Sequence, residues 1–487
     1  MNQALLLTII VAYFALLLVV SYLTSRKANN DSFFVGNRNS NWVLVAFGMI
    51  GTSLSGVTFV SVPGAVGKDG FHYLQVTIGY LIGYIVIAYV LLPLYYRLNL
   101  TSIYTYLQSR LGIKSYKTGA SFFILSRLVG ATGRLYLVIN ILQLAILDSF
   151  NVPFWVTTLI LLGMIILYTY EGGVKTIVWT DTLQTTCMLA GLIICTIYIL
   201  NNMDLSVSSS LSQMSDAGYL SIFETDPNSK NFFIKQILAG AFITITMTGV
   251  DQEMMQKSIS VPNLKDSQKN MISLSVIMLI TIGIFLYMGG LLHLFADATA
   301  VNASGDALFP AIALNHMPPA IGIIFTIALI SALFPSADGA MTALTSSICI
   351  DILNLKSRSD WDDAKQKKVR QMVHLSVAFS FLIMVLFFKQ LNDPSMIGII
   401  LKLAGYTYGP LLGLFAFGIL TKRTVQDNVV PFICIISPII TYLIDKYQSN
   451  LFGSFQIGLE LIIVNGLITF VLLWCFPNKK QSFVDIN

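Results

Sequence analysis

Residues 51–58 read Gly51-Thr52-Ser53-Leu54-Ser55-Gly56-Val57-Thr58, in the middle of an otherwise apolar run from 41 to 69. A second such stretch, Thr244-Ile245-Thr246-Met247-Thr248-Gly249-Val250-Asp251-Gln252, interrupts the run from 232 to 256. Each run is long enough to cross a bilayer, which takes about 20 apolar residues. Glycine and β-branched threonine weaken a helix, and at membrane depth unwound backbone survives only where it lines a cavity. A single run of this kind also suits close helix packing. Two matched interruptions in corresponding halves point instead to an inverted-repeat secondary transporter with its solute held between the breaks.

The rest of the chain agrees with this reading. Of 487 residues, 55% are hydrophobic and 11% charged, less than half the charge of a soluble domain. That excludes an ordinary soluble enzyme, a disordered chain and a nucleic-acid module, all of which need more charge. Thirteen stretches qualify as spans: 3–25, 41–69, 72–96, 118–147, 153–170, 176–201, 232–256, 271–297, 319–353, 371–390, 395–421, 428–446 and 454–476. The first is too long for a signal h-region and lacks a basic n-region, so it stays as a helix. With the N-terminus outside, 21 of the 29 lysines and arginines fall at cytoplasmic positions, Lys257 among them. This imbalance orients the chain with its C-terminus inside the cell membrane.

The expected fold is therefore an all-α membrane protein of about 13 helices forming one transporter domain over 1–487. It comprises an extra N-terminal helix (3–25), two five-helix repeats (41–201 and 232–421) and two extra C-terminal helices (428–476). The five cysteines and four histidines show no metal-ligand spacing.

Charges inside spans each cost about 2.5–3.5 kcal/mol and need a partner or a wet cavity. Arg127 and Arg134 share one face of the fourth span, Asp181 and Gln184 one face of the sixth, and Lys402 lies in the eleventh. The ninth span runs Ser331-Ala332-Leu333-Phe334-Pro335-Ser336-Ala337-Asp338-Gly339, followed by Thr342 and Thr345. Pro335 removes one backbone hydrogen bond and frees a carbonyl about one turn earlier. With a carboxylate beside it, this stripe suits a hard cation such as sodium, which takes oxygen ligands.

Five motifs together resemble the sodium/solute symporters, which share the LeuT-type fold. They are Gly51 to Phe59, Tyr170-Glu171-Gly172-Gly173 through Trp179-Thr180-Asp181 to Gln184, Asp251 to Lys257, Ser346 to Ile352, and Gly405-Tyr406-Thr407-Tyr408-Gly409-Pro410. The resemblance, to the bacterial sialic-acid members in part, implies sodium-driven uptake by alternating access. It implies a main sodium site at Gly51, Leu54, Ala332, Pro335 and Ser336. Where the family has paired serines this chain has Pro335-Ser336, so Asp338 or water must supply the missing hydroxyl. It implies a second ion position at Asp181, Asp338 and Gly339, unless Asp338 pairs with Lys402; one or two sodium ions per cycle both remain open. It also implies solute contacts from Ser53, Ser55, Thr58, Gln75, Arg134, Thr248 and Gln252.

A guanidinium offers two parallel donors to a carboxylate, so Arg134 favours a carboxylated sugar or other organic acid such as sialic acid. A neutral sugar, polyol or amino acid is the alternative, as is a proton-coupled variant. The expected partners are a small solute, sodium ions and the lipid bilayer, with no nucleic acid and no obligate protein partner. A sensor and a membrane enzyme are disfavoured, the former by the short tail after Pro477 and the latter by the lack of a catalytic constellation.

Overall fold

The computed structural model describes residues 3–25, 29–358, 360–391 and 396–478. Four basic residues of the orientation count (26, 27, 479 and 480), position 395 and the tail beyond 478 lie outside the described residues.

Helices occupy all thirteen apolar stretches. We label them α1 (Gln3–Ser25), α2 (Trp42–Asp69), α3 (Tyr73–Arg97), α4 (Ile113–Leu142), α5 (Phe154–Thr169) and α6 (Val174–Asn202). The bent pair α7 (Phe233–Gly249) and α8 (Gln252–Ser258) follows, then α9 (Leu264–Thr299) and α10 (Pro319–Ile352). The chain continues with α11 (Asp363–Leu391), α12 (Met396–Leu420), α13 (Val430–Lys446) and α14 (Leu461–Cys475). The described residues contain no β-strand, only two isolated bridges.

Length does not confirm the count of thirteen spans. Among the described residues nine helices are long and apolar enough to cross a bilayer, or ten if α7 and α8 form one broken span. Helices α5, α13 and α14 have 16, 17 and 15 residues. At ~1.5 Å per residue they reach roughly 22–26 Å, short of a hydrocarbon core of about 30 Å. For α5 the reason is local: Pro153 precedes it, and Gly172-Gly173 turns the chain sharply into α6. Gly173 has φ +50° and packs so closely on Phe33 that no side chain fits.

The two most enclosed spans are α2 and α10, each 78% buried over its apolar window. Helix α2 packs against α6, α9 and α10, and α10 also covers α6 and α4. By contrast α1 and α11 turn Val11, Leu16, Phe379 and Ile383 outward, as lipid-facing helices do. Helices α3 and α7 cross at Gly79, Gly83 and Gly240, where the opposing backbone leaves no room for a Cβ. Small residues at such crossings let helices without a hydrophobic driving force gain van der Waals contact. The net effect is to hold the middle of α2 opposite the bend between α7 and α8.

Candidate functional site

Both interrupted stretches break where their sequences weaken the helix. In α2 the break is at Ser55, with φ 50° and ψ 166°, a conformation that costs a non-glycine residue of order 1–3 kcal/mol. Gly56 follows it and abuts Val138 of α4 and the backbone of Leu333 in α10. Between α7 and α8 the chain bends by 70° after a π-turn over Ile245–Gly249. Carbonyls at a helix end lack intrahelical donors, and here Tyr95 and Tyr104 donate to Gly249 O at 2.8 Å and Val250 O at 3.0 Å. Asp251 caps α8 by accepting from the Glu253 and Met254 amides.

A cavity of about 110 Å³ lies between the two breaks. Ser53, Ser55, Thr58, Arg134 and Thr248 line it, together with Tyr73, Tyr80 and Tyr84. Tyr73 and Tyr80 hydroxyls meet at 3.2 Å, and Ser53 Oγ is buried on the cavity beside Tyr84. Among the described residues Arg134 has no hydrogen-bond or ion-pair partner, whereas Arg127, two turns earlier, pairs with Glu253 and lies 3.7 Å from Asp251. Tyr73 also lines a wider cavity of about 530 Å³ bounded by Asp69, His72, Lys230 and Gln448.

Two residues expected against the solute lie elsewhere. Gln75 donates to His72 O and Asn231 O and accepts from Glu224 N, tying the 203–231 loop to α3. Gln252 accepts from Ile103 N and donates to Thr101 O, both at 2.9 Å, clamping the α3–α4 connection. A glutamine amide satisfies a backbone donor and acceptor at once, and neither side chain lines the inner cavity.

The residues expected to hold sodium come together on α2 and α10. Gly51 packs against Pro335, and Thr185 of α6 projects its hydroxyl into the same contact. Leu54, Ala332, Pro335 and Ser336 are all buried. Ser336 Oγ donates to Leu333 O at 2.9 Å, while Thr185 Oγ1 is buried with no hydrogen-bond partner among the described residues.

At the second expected ion position Asp181 meets a different cation. Lys257 Nζ donates to Asp181 Oδ2 and to Thr52 Oγ1, each at 2.7 Å, and lies 3.9 Å from Glu253. Asp338 accepts from Tyr168 OH at 2.7 Å and from the Gly339 amide at 2.5 Å. A Cβ at Gly339 would meet the Glu253 carboxylate and come 3.0 Å from Lys257 Nζ. Lys402 does not reach Asp338; it pairs with Asp445 at 2.6 Å and is half-exposed on the wider cavity. Arg127, Lys257, Asp181, Glu253 and Asp251 are thus one buried network, and Asp338 is held separately by Tyr168 and Gly339. Burying a charge is tolerable only when it is paired and hydrogen-bonded.

A family model described as the sodium:solute symporter family matches residues 33–428. The chain belongs to that family. It is 25% identical to the sodium/sialic acid symporter SiaT of Proteus mirabilis over 97% of this chain and 95% of that one. It is 22% identical to the sodium/sialic acid symporter NanT of Aliivibrio fischeri, covering 96% and 92%. Its fold is that of a Na+-coupled sialic acid symporter solved in a substrate-bound outward-open state, with TM-score 0.84 and 19% identity over 97% of this chain and 99% of that one.

Two side chains in this symporter's centre, Lys257 and Thr185, and the partner of a third, Arg127, escaped sequence reasoning. Lys257 reads as a loop base because the apolar run ends just before it, yet it is 1% exposed. Thr185 is one residue past Gln184 and carries no signal until Gly51 is seen against it. Arg127 shares a face with Arg134 in the sequence, but only the bend at Val250 brings Glu253 under it. The signal that could have found Lys257 is the spacing Glu253-x-x-x-Lys257, an i,i+4 pair next to a broken helix.

Proposed function

We propose that this symporter imports a carboxylated sugar of the sialic-acid type together with sodium, by alternating access. The observation that carries the reading is Arg134, a guanidinium on the inner cavity with no ion-pair or hydrogen-bond partner among the described residues. A buried cation is costly until paired, so the cavity favours an anionic occupant. Ser53, Ser55, Thr58 and Thr248 offer hydroxyls to a polyhydroxylated body, and Tyr73, Tyr80 and Tyr84 offer ring faces. The names of the two bacterial relatives point to the same solute class.

Sodium coupling belongs to the carbonyls of the α2 break, Gly51 and Leu54, and to Ala332, Pro335 and Ser336. We assign Thr185 as the hydroxyl that stands in for the serine absent at Pro335. Filling that site stabilises the join of α2 to α10 beside the solute cavity, which links the two occupancies. The wider cavity reached past Tyr73 serves as the outer approach, and the Arg127–Glu253 pair seals the opposite side.

The two halves are read as inverted repeats, α2–α6 and α7–α12, each opened by its broken helix, with α1, α13 and α14 outside them. The bias of basic residues supports an N-terminus outside and a C-terminus in the cytoplasm of a cell membrane. Calorimetric titration of sialic acid into the purified protein tests the reading: binding is expected in sodium and strongly weakened in potassium. Equal affinity in the two salts would contradict it.

A further inference from the structure

We infer that the Lys257 ammonium is the resident cation of the second ion position, so that one sodium ion accompanies each solute. The inference rests on the proposed sodium-coupled reading.

A second sodium bound at Asp181, Asp338 and Gly339 needs free oxygens and unbalanced negative charge there. Among the described residues only Asp181 Oδ1 lacks a donor there, and the Lys257 ammonium already balances the Asp181 charge. Asp181 Oδ2 receives two donors, Lys257 Nζ at 2.7 Å and Thr52 Oγ1 at 3.2 Å. Both oxygens of Asp338 already accept hydrogen bonds, from Tyr168 OH and Gly339 N. Gly339 contributes no side-chain oxygen, and a Cβ added to it would meet Glu253 and lie 3.0 Å from Lys257 Nζ. Glu253 in turn pairs with Arg127. The position therefore contains a monovalent cation with oxygen partners, as a bound sodium would require, but the cation is tethered to α8.

The tether decides the consequence. A lysine cannot leave with the solute, so its charge balances Asp181 in every state of the cycle and carries nothing across the membrane. The main sodium position has no such occupant: Gly51, Leu54, Ala332, Pro335, Ser336 and Thr185 supply no cation of their own. In the bare electrostatic sense Lys257 replaces one coupling ion, which lowers the concentrating power of the transporter for a given sodium gradient.

The test is the full-length protein in proteoliposomes with a tenfold inward sodium gradient, the potential clamped at zero and radiolabelled sialic acid as probe. With one sodium per solute the accumulation at static head approaches about tenfold; with two it approaches about a hundredfold. A hundredfold ratio overturns the inference. Lys257→Met adds a second arm: removing the ammonium opens the position, and the Hill coefficient for sodium in sialic-acid uptake is expected to rise from about 1 to about 2. A variant that transports with an unchanged sodium curve also overturns it. If Lys257→Met fails to assemble, the wild-type ratio decides alone. Uptake that ignores sodium altogether is a separate result, which removes the symport reading itself.

Discussion

Lys257 Nζ lies 2.7 Å from Asp181 Oδ2, and both side chains are buried. The pair ties the short helix beyond the α7–α8 bend to the first third of α6. Removing one partner of such a pair strands a charge and costs about 3–5 kcal/mol. Asp181→Asn is therefore expected to lower the thermal midpoint of the detergent-solubilised protein. Adding Lys257→Met to it should recover most of the loss. If Asp181→Asn is as stable as wild type, the pair does not hold these helices together.

Arg134 has an open guanidinium on the cavity. Charge-assisted hydrogen bonds contribute about 1.5–3 kcal/mol, which is roughly 10- to 150-fold in affinity. Arg134→Ala should weaken sialic-acid binding by that factor, while affinity for the methyl ester, which lacks the charge, changes little. Isothermal titration of both ligands measures it. Intact binding of the acid to the variant would remove the carboxylate clamp.

Thr185→Val exchanges a hydroxyl for a methyl of similar size. The sodium concentration for half-maximal uptake should rise about tenfold, the effect of losing roughly 1.4 kcal/mol, with uptake at saturating sodium largely preserved. An unchanged sodium curve would mean that the hydroxyl facing Gly51 is only a packing group.

Gln252 and Gln75 separate scaffold from binding surface. Gln252→Ala removes the acceptor of Ile103 N–H, at about 1–3 kcal/mol for the stranded group. Its thermal midpoint should drop while the dissociation constant for sialic acid stays at the wild-type value. Gln75→Ala should behave the same way, with a smaller loss. A tenfold weaker dissociation constant in either variant would return that glutamine to the solute cavity.

The fold was largely legible because scarcity of charge makes spans visible and because glycine with threonine at mid-span marks a break. Ser55 and the Thr246–Asp251 segment are where that logic meets the structure most closely: the first adopts φ 50° and the second turns by 70°. Length was less legible. Hydropathy starts the last span at 454 whereas its helix begins at Leu461, since an apolar loop residue and an apolar helix residue look alike in composition.

The centre was readable only in part, for a geometric reason. Spacing places Asp181 and Gln184 on one helix face, and Pro335 beside Ser336, but it does not say which helix lies opposite. Lys257 reaches Asp181 from 76 positions away, and Gln252 reaches Ile103 from 149 away. Both depend on the direction in which α8 leaves the bend, a long-range property that local sequence does not encode. The motif resemblance carried Gln252 into the cavity because that residue is polar and next to the break; the bend points it toward the backbone of the α3–α4 connection.

The most direct test of sodium-coupled import is the uptake of labelled sialic acid into proteoliposomes at clamped potential, with an inward sodium gradient against an equal potassium gradient. The geometry predicts concentrative uptake in sodium and only equilibration, or none, in potassium. Equal uptake in the two salts would contradict it.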